Sequence, residues 1–272
     1  MIGQKQILEQ IDNWVDMEDF PRFLILTGGR GSGKATLAHL IAKKLGAFRI
    51  DCELGVDAVR EVVENCYRCN GVTIYTFLNA DKMSAQAKNA LLKITEEPPR
   101  SAHFIMTLQD PGSTLETLRS RGTLLSMQPY THAELEEYMG DKINETILEI
   151  ASTPGDVDEL RKLNVEEFFA FCEKVLDNIG TVSGVNAFKI AQSLKFKDDG
   201  EGYDPILFMR CISAVCLDRV QDEETRAVVR MYGGIIKATA GCIRELQLTG
   251  VKKDSTVDIW ILKVRDIIQE VE

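Results

Sequence analysis

Along the first part of the chain, short apolar runs alternate with longer stretches in which apolar positions recur every three or four residues. The short runs are Phe23–Thr27, Ala47–Ile50, Val72–Leu78, His103–Thr107 and Thr123–Met127. Each has strand length and is nearly continuous in apolar residues, the pattern of a strand covered on both faces. Between them, Gln4–Trp14, Lys34–Leu45, Val56–Cys66, Ser84–Thr95 and Ser113–Arg119 carry the helical period. Alternation of this kind predicts an α/β domain, a parallel sheet flanked by helices, over residues 1–130.

After Pro129 the strand pattern stops and only helical periods follow. Loop signals fall at Thr153-Pro154-Gly155 and at Lys197-Asp198-Asp199-Gly200-Glu201-Gly202, with Pro205 close behind. They predict a small helical domain over 131–197 and a second helical domain over 198–272.

Composition narrows the class. Hydrophobic residues make up 44% and charged residues 27%, the balance of a globular protein. No apolar run approaches the roughly 20 residues of a membrane-spanning helix, and Met1–Trp14 lacks the apolar stretch of a signal peptide. A cytoplasmic protein without membrane contact is expected. The seven cysteines, an odd number, sit mostly within apolar helical patterns, as Cys211, Cys216 and Cys242 do, and are expected to be reduced core thiols. A net charge of −10 makes the chain a poor solitary DNA binder, because phosphates are gripped mainly by Lys and Arg. Any work on DNA would be done beside more basic partners.

One motif carries chemistry. Gly28-Gly29-Arg30-Gly31-Ser32-Gly33-Lys34 follows a strand and opens a helix, the context of a phosphate-binding loop. Glycines let backbone N–H groups turn toward phosphate oxygens, and Lys34 would reach the terminal phosphates. The bland alternative, a glycine-rich turn, does not account for the lysine in register. The next residue should be Ser or Thr, whose hydroxyl binds Mg²⁺; here it is Ala35. Thr36 is one residue late, rotated by about 100° on a helix.

The central strand should end on an acidic metal ligand followed by a water-activating glutamate. Leu78 and Asn79 stand there instead. Asp81 comes two residues too late and reads as a loop or helix-capping aspartate before Ser84. Two losses at the metal predict no independent ATPase. No metal is expected and no cofactor is required, which leaves room only for weak ATP or ADP binding without Mg²⁺-dependent hydrolysis.

The run from Asn79-Ala80-Asp81-Lys82-Met83 through Gln86 and Asn89-Ala90-Leu91-Leu92-Lys93 to Glu96-Glu97-Pro98-Pro99 resembles the AAA+ clamp-loader family of bacterial DNA polymerase III. Val56-Asp57-Ala58-Val59-Arg60 upstream, and Leu115-Glu116-Thr117-Leu118-Arg119-Ser120-Arg121-Gly122 downstream, match further family blocks in the same order. The resemblance is strong over about residues 20–130 and loose over Ile235–Leu262. It implies an AAA+ domain, a helical lid and a helical collar that forms a ring.

With its own nucleotide site worn and its Ser-Arg pair intact, the chain looks most like the delta-prime type. The resemblance implies that Arg121, with Ser120, is an arginine finger for the ATP of an adjacent subunit. Read without it, Arg121 is a solvated arginine near a helix end. Implied partners are gamma/tau and delta subunits, and through the assembly the sliding clamp and primed DNA. Gly122 replaces the family's usual cysteine. A first sensor falls near Thr107–Gln109 without an assignable residue. Asp158 stands where a second-sensor arginine is often found, after Gly155-Asp156-Val157.

Other features carry less. Cys66 and Cys69 have half the spacing of a zinc site, with Cys52 the one further cysteine nearby. His39, His103 and His132 are scattered. Glu134–Glu137 reads as a solvated helix face, and Phe168-Phe169-Ala170-Phe171 as core packing. Two alternatives stay open beside the delta-prime reading: a self-sufficient P-loop ATPase with unusual metal ligation, and a nucleotide-independent scaffold.

Overall fold

The computed structural model describes residues 1–68, 71–181, 203–221, 223, 225–247 and 251–271. These form two compact units, Met1–Glu134 and Leu135–Glu272. The predicted boundary at 197/198 lies outside the described residues.

The first unit is built on a five-stranded, all-parallel sheet of order β2-β3-β4-β1-β5. Its strands are β1 Phe23–Thr27, β2 Phe48–Asp51, β3 Thr73–Phe77, β4 Ala102–Leu108 and β5 Thr123–Ser126. Its helices are α1 Lys5–Asp16, α2 Lys34–Lys44, α3 Val56–Asn65, α4 Ala85–Glu96 and α5 Glu116–Arg119. Every residue of β1, β3 and β4 is buried, as continuous apolar runs require.

Successive side chains enter opposite faces of this sheet. Phe23, Ile25, Tyr75, Phe77, Phe104 and Met106 pack with Val59, Leu91, Ile94 and Leu118 from α3, α4 and α5. Leu24, Leu26, Ile74, Ile105 and Leu125 pack with Ile7, Ile11, Leu37 and Ile41 from α1 and α2. The predicted helix Ser113–Arg119 shrinks to the single turn of α5, because Pro111–Ser113 forms a separate 3-10 turn capped by Asp110.

The second unit is helical among the described residues, apart from an isolated bridge at Tyr203. α6 (His132–Met139) starts at the edge of the first unit. Its capping box pairs Thr131 with Glu134, whose carboxylate accepts from Thr131 N at 2.8 Å. Glu134 is thus a cap rather than part of a solvated face. α7 (Glu145–Ile150), α8 (Pro154–Leu160) and α9 (Val165–Thr181) follow, then helices Pro205–Gln221, Arg226–Leu246 and Lys253–Gln269. Phe168, Cys172, Phe208, Cys211 and Trp260 are buried in this unit. Trp260 donates its indole N–H to Thr239 Oγ1 at 3.0 Å, so the one polar atom of the largest core side chain is satisfied.

Candidate functional site

The glycine-rich loop that is the candidate phosphate site starts where β1 stops. Gly28 leaves the strand with φ 150°, and a side chain there would put Cβ 2.8 Å from Met127 Cβ. Gly33 precedes α2 at φ 87°, a left-handed conformation that a β-carbon disfavours. Gly28 N donates to Leu108 O at 3.2 Å and Met127 N to Thr27 O at 2.7 Å, tying the loop to the ends of β4 and β5. Tyr130 donates its hydroxyl to Ser32 O at 3.0 Å.

Lys34, the first residue of α2, is 8% exposed. Its ammonium donates to Gly28 O at 2.7 Å and Gly29 O at 2.8 Å, with Ser32 Oγ at 3.5 Å. Burial pulls its pKa down to about 8, against the opposing effect of the Asp81 carboxylate. The cation braces its own loop. Ala35 and Thr36 are both exposed on α2.

The loops after β3 and β4 meet beside it. Leu78 is half-buried, and Asn79 is exposed in a left-handed turn at φ 54°, where its backbone N–H donates to Thr107 Oγ1 at 2.8 Å. Neither Ala35 nor Leu78 has a side-chain oxygen. This donor set does not fit Mg²⁺. Among the described residues no group of three His, Cys, Asp or Glu is placed to hold a metal ion.

Asp81 has a definite structural task. Its carboxylate accepts from Gln109 N at 2.9 Å, Asp110 N at 3.4 Å and Ser113 Oγ at 2.7 Å, stapling the loop after β4. Ser84, not Asp81, caps α4 by accepting from Ala87 N at 3.1 Å. Thr107, within the stretch expected to hold a first sensor, uses its hydroxyl to fix Asn79.

Arg121 stands at the other edge of the sheet. It follows α5 and precedes β5, whose first residue, Thr123, pairs with Leu24 near the start of β1. The phosphate loop lies beyond the far end of β1, about 15 Å away at the usual rise of a strand. Ser120 and Arg121 are exposed. Arg121 donates Nε–H to Glu96 Oε1 at 3.0 Å, Nη2–H to the same oxygen, and Nη1–H to Thr117 O at 2.6 Å. Glu96, the last residue of α4, had no role in the sequence reading beyond its place in Glu-Glu-Pro-Pro. The contact that singles it out comes from the fold.

Gly122 also has a packing cause. A Cβ there would lie 2.7 Å from Ile25 Cδ1, so Ile25 fills the space a cysteine would need. Cys66 is buried with its thiol directed to Val63 O, and burial pushes Cys52 up to about 12. Cys69 lies outside the described residues. His103 is buried, its Nδ1 3.0 Å from Pro21 O, a structural setting. In the helical unit, Asp156 pairs with Arg210 and Asp158 accepts from Tyr138 Oη at 2.9 Å.

Comparison with known proteins adds an independent line. The family model described as "DNA polymerase III, delta subunit" matches residues 51–131, a stretch that holds Leu78, Asn79, Ser120 and Arg121 but not the phosphate loop. DNA polymerase III subunit gamma of Buchnera aphidicola is 26% identical over 210 residues, 61% of this chain and 56% of that protein. DNA polymerase III subunit delta' of Escherichia coli is 42% identical over 79 residues, 28% of this chain and 24% of that one.

A replication factor C small subunit of Staphylothermus marinus is 24% identical over 68% of this chain and 63% of that protein. The chain thus spans about half to two thirds of the length of these gamma and replication factor C relatives. A gamma subunit-related protein of Thermotoga maritima superposes with a TM-score of 0.53 over 95% of this chain and 99% of that chain at 14% identity, a likeness of fold alone. No helix among the described residues is long and apolar enough to cross a membrane. The chain thus resembles the DNA polymerase III delta subunit family over residues 51–131, and its five-stranded parallel sheet shares the fold of the gamma subunit-related protein.

Proposed function

We propose that this chain is a delta-prime-type subunit of a DNA polymerase III clamp loader, without ATP turnover of its own, that lends Arg121 to a neighbour's ATP. The observation that carries the proposal is the position of the two features on one sheet. The loop that could hold phosphate is at the carboxyl edge and lacks metal-binding oxygens at Ala35 and Leu78. The arginine is at the amino edge, exposed, and the length of β1 away from that loop. A guanidinium so placed has no path to its own nucleotide site, and a second subunit docked on that edge would bring a triphosphate within its reach. There it would supply a permanent charge to the phosphoryl group in transfer. The 42% identity to a delta' segment supports the subtype.

In this reading gamma/tau-type subunits hydrolyse ATP, a delta-type subunit completes the ring, and the assembly opens a sliding clamp at primed DNA. The chain needs no cofactor. The test is an ATPase assay of the isolated chain with Mg²⁺, and of a loader reconstituted with Arg121→Ala. The isolated chain gives background rates, and the variant loader assembles but loses at least about tenfold in ATPase, well below the ~10³–10⁵ of arginine fingers in other phosphoryl-transfer systems. Turnover by the isolated chain that Lys34→Ala abolishes would favour the self-sufficient ATPase.

A further inference from the structure

Arg121 is held in one orientation by this chain itself, and the way it is held leaves one part of the guanidinium unused. A guanidinium has five N–H donors. Glu96 Oε1 takes the one on Nε and one on Nη2, and Thr117 O takes one on Nη1. One N–H remains on each terminal nitrogen, so the guanidinium keeps two donors for phosphate oxygens. The arginine side chain is 31% exposed, so it is partly open at the surface, while Glu96 is the last residue of α4.

α4 and α5 are fixed by burial of Leu91, Ile94 and Leu118 in one cluster, so both partners of the pair are anchored to the same core. A free arginine would have to give up rotamer freedom at the moment it met a phosphate. Here that ordering is in place beforehand.

We propose that Glu96 is a positioning residue for the arginine finger. Together with the Thr117 carbonyl it locks Arg121 with its two terminal N–H groups outward, toward the triphosphate of the adjoining subunit. The inference rests on the reading of Arg121 as that finger. Glu96 itself does not touch the nucleotide. Its negative charge lowers the attraction of the site for phosphate, so the contribution is one of orientation, and a neutral acceptor of the same shape would serve.

The experiment measures steady-state ATPase of the reconstituted loader carrying wild-type chain, Glu96→Ala, Glu96→Gln or Arg121→Ala, with assembly followed by size-exclusion chromatography. Glu96→Ala is expected to lower kcat about two- to tenfold, the cost of ordering one flexible side chain at the step. KM for ATP should stay within about twofold, since the bound nucleotide's other contacts are untouched. Glu96→Gln, whose Oε1 can accept the same N–H groups, should restore most of kcat. A structural role for Glu96 would not produce rescue by glutamine with KM unchanged.

Unchanged kcat in Glu96→Ala, with Arg121→Ala still impaired, overturns the positioning role and leaves the finger. A rise in kcat also overturns it, and makes Glu96 a brake. Normal kcat in Arg121→Ala overturns the finger reading itself. If Glu96→Ala does not assemble, hydrogen exchange of the Arg121 Nε–H decides the matter in the isolated chain. Slowed exchange in wild type that is lost in Glu96→Ala and kept in Glu96→Gln supports the proposal, and rapid exchange in wild type removes it.

Discussion

At the scale of single residues, Lys34 is a charge held under burial. Its ammonium is buried, and its pKa falls from the ordinary lysine value of 10.5 to about 8 because burial penalises the charged form. The Asp81 carboxylate opposes that fall, and at about 8 the ammonium is still mostly charged at neutral pH. The folded pKa lies below the unfolded one. Between about pH 8 and 10.5 the unfolded chain therefore binds the extra proton, and stability rises with pH through that window. Urea unfolding at pH 7.5 and 9.5 should show this increment, on the order of 1 kcal/mol, in wild type and not in Lys34→Met. Equal increments in the two proteins would mean that the Gly28 and Gly29 carbonyls compensate fully for the burial. The pair Ala35 and Leu78 is the opposite case, since two ordinary apolar residues bring no tension to the fold and take their meaning only from what they replace.

At the scale of elements, the loops at the carboxyl edge are fastened by Asp81. Three groups from the loop after β4, Gln109 N, Asp110 N and Ser113 Oγ, converge on one carboxylate from the turn after β3. Hydrogen bonds to an ionised acceptor are stronger than neutral ones. Asp81→Ala should therefore cost about 2–3 kcal/mol of stability, more than the ~1 kcal/mol expected from removing the Ser84 helix cap. Equilibrium denaturation of the two variants compares them, and a smaller loss in Asp81→Ala would show that water replaces the staple.

This loop also marks the limit of what the chain reveals before it is folded. β1, β3 and β4 are legible as apolar runs because both their faces are covered. α1 to α4 are legible because their apolar stripes match the helical period. Asp81 is legible only as a loop aspartate, because its partners lie 28 to 32 residues away and are mostly backbone N–H groups with no sequence signature. Glu96 is hidden for the same reason: its partner, Arg121, is 25 residues on. Gly122 departs from the family pattern, and the cause is Ile25, on a strand nearly 100 positions earlier.

At the scale of the whole molecule, the charge is unevenly divided. Residues 1–134 carry 15 basic and 16 acidic side chains, and residues 135–272 carry 17 basic and 26 acidic. Nearly all of the net −10 thus belongs to the helical unit. The α/β unit is close to neutral, and its cations are in part committed: Lys34 to its loop, Lys88 to Ser113 O at 2.5 Å, Lys44 to Asp12 and Arg121 to Glu96. Non-specific affinity for DNA comes from neutralising several phosphates together, with dissociation constants of roughly 10⁻⁴ to 10⁻⁶ M for proteins built to do so.

A chain with this distribution should fall short of that range. In fluorescence anisotropy with a primed duplex near 150 mM salt, the isolated protein is expected to give no saturable binding up to about 100 μM, and lowering the salt should bring only a shallow gain. On the proposed function, affinity and a steep salt dependence should appear only in a reconstituted assembly with clamp-loader subunits. Micromolar binding by the isolated chain would instead reveal a basic track that the balance of charges conceals, and DNA contact would then have to be counted among its own properties.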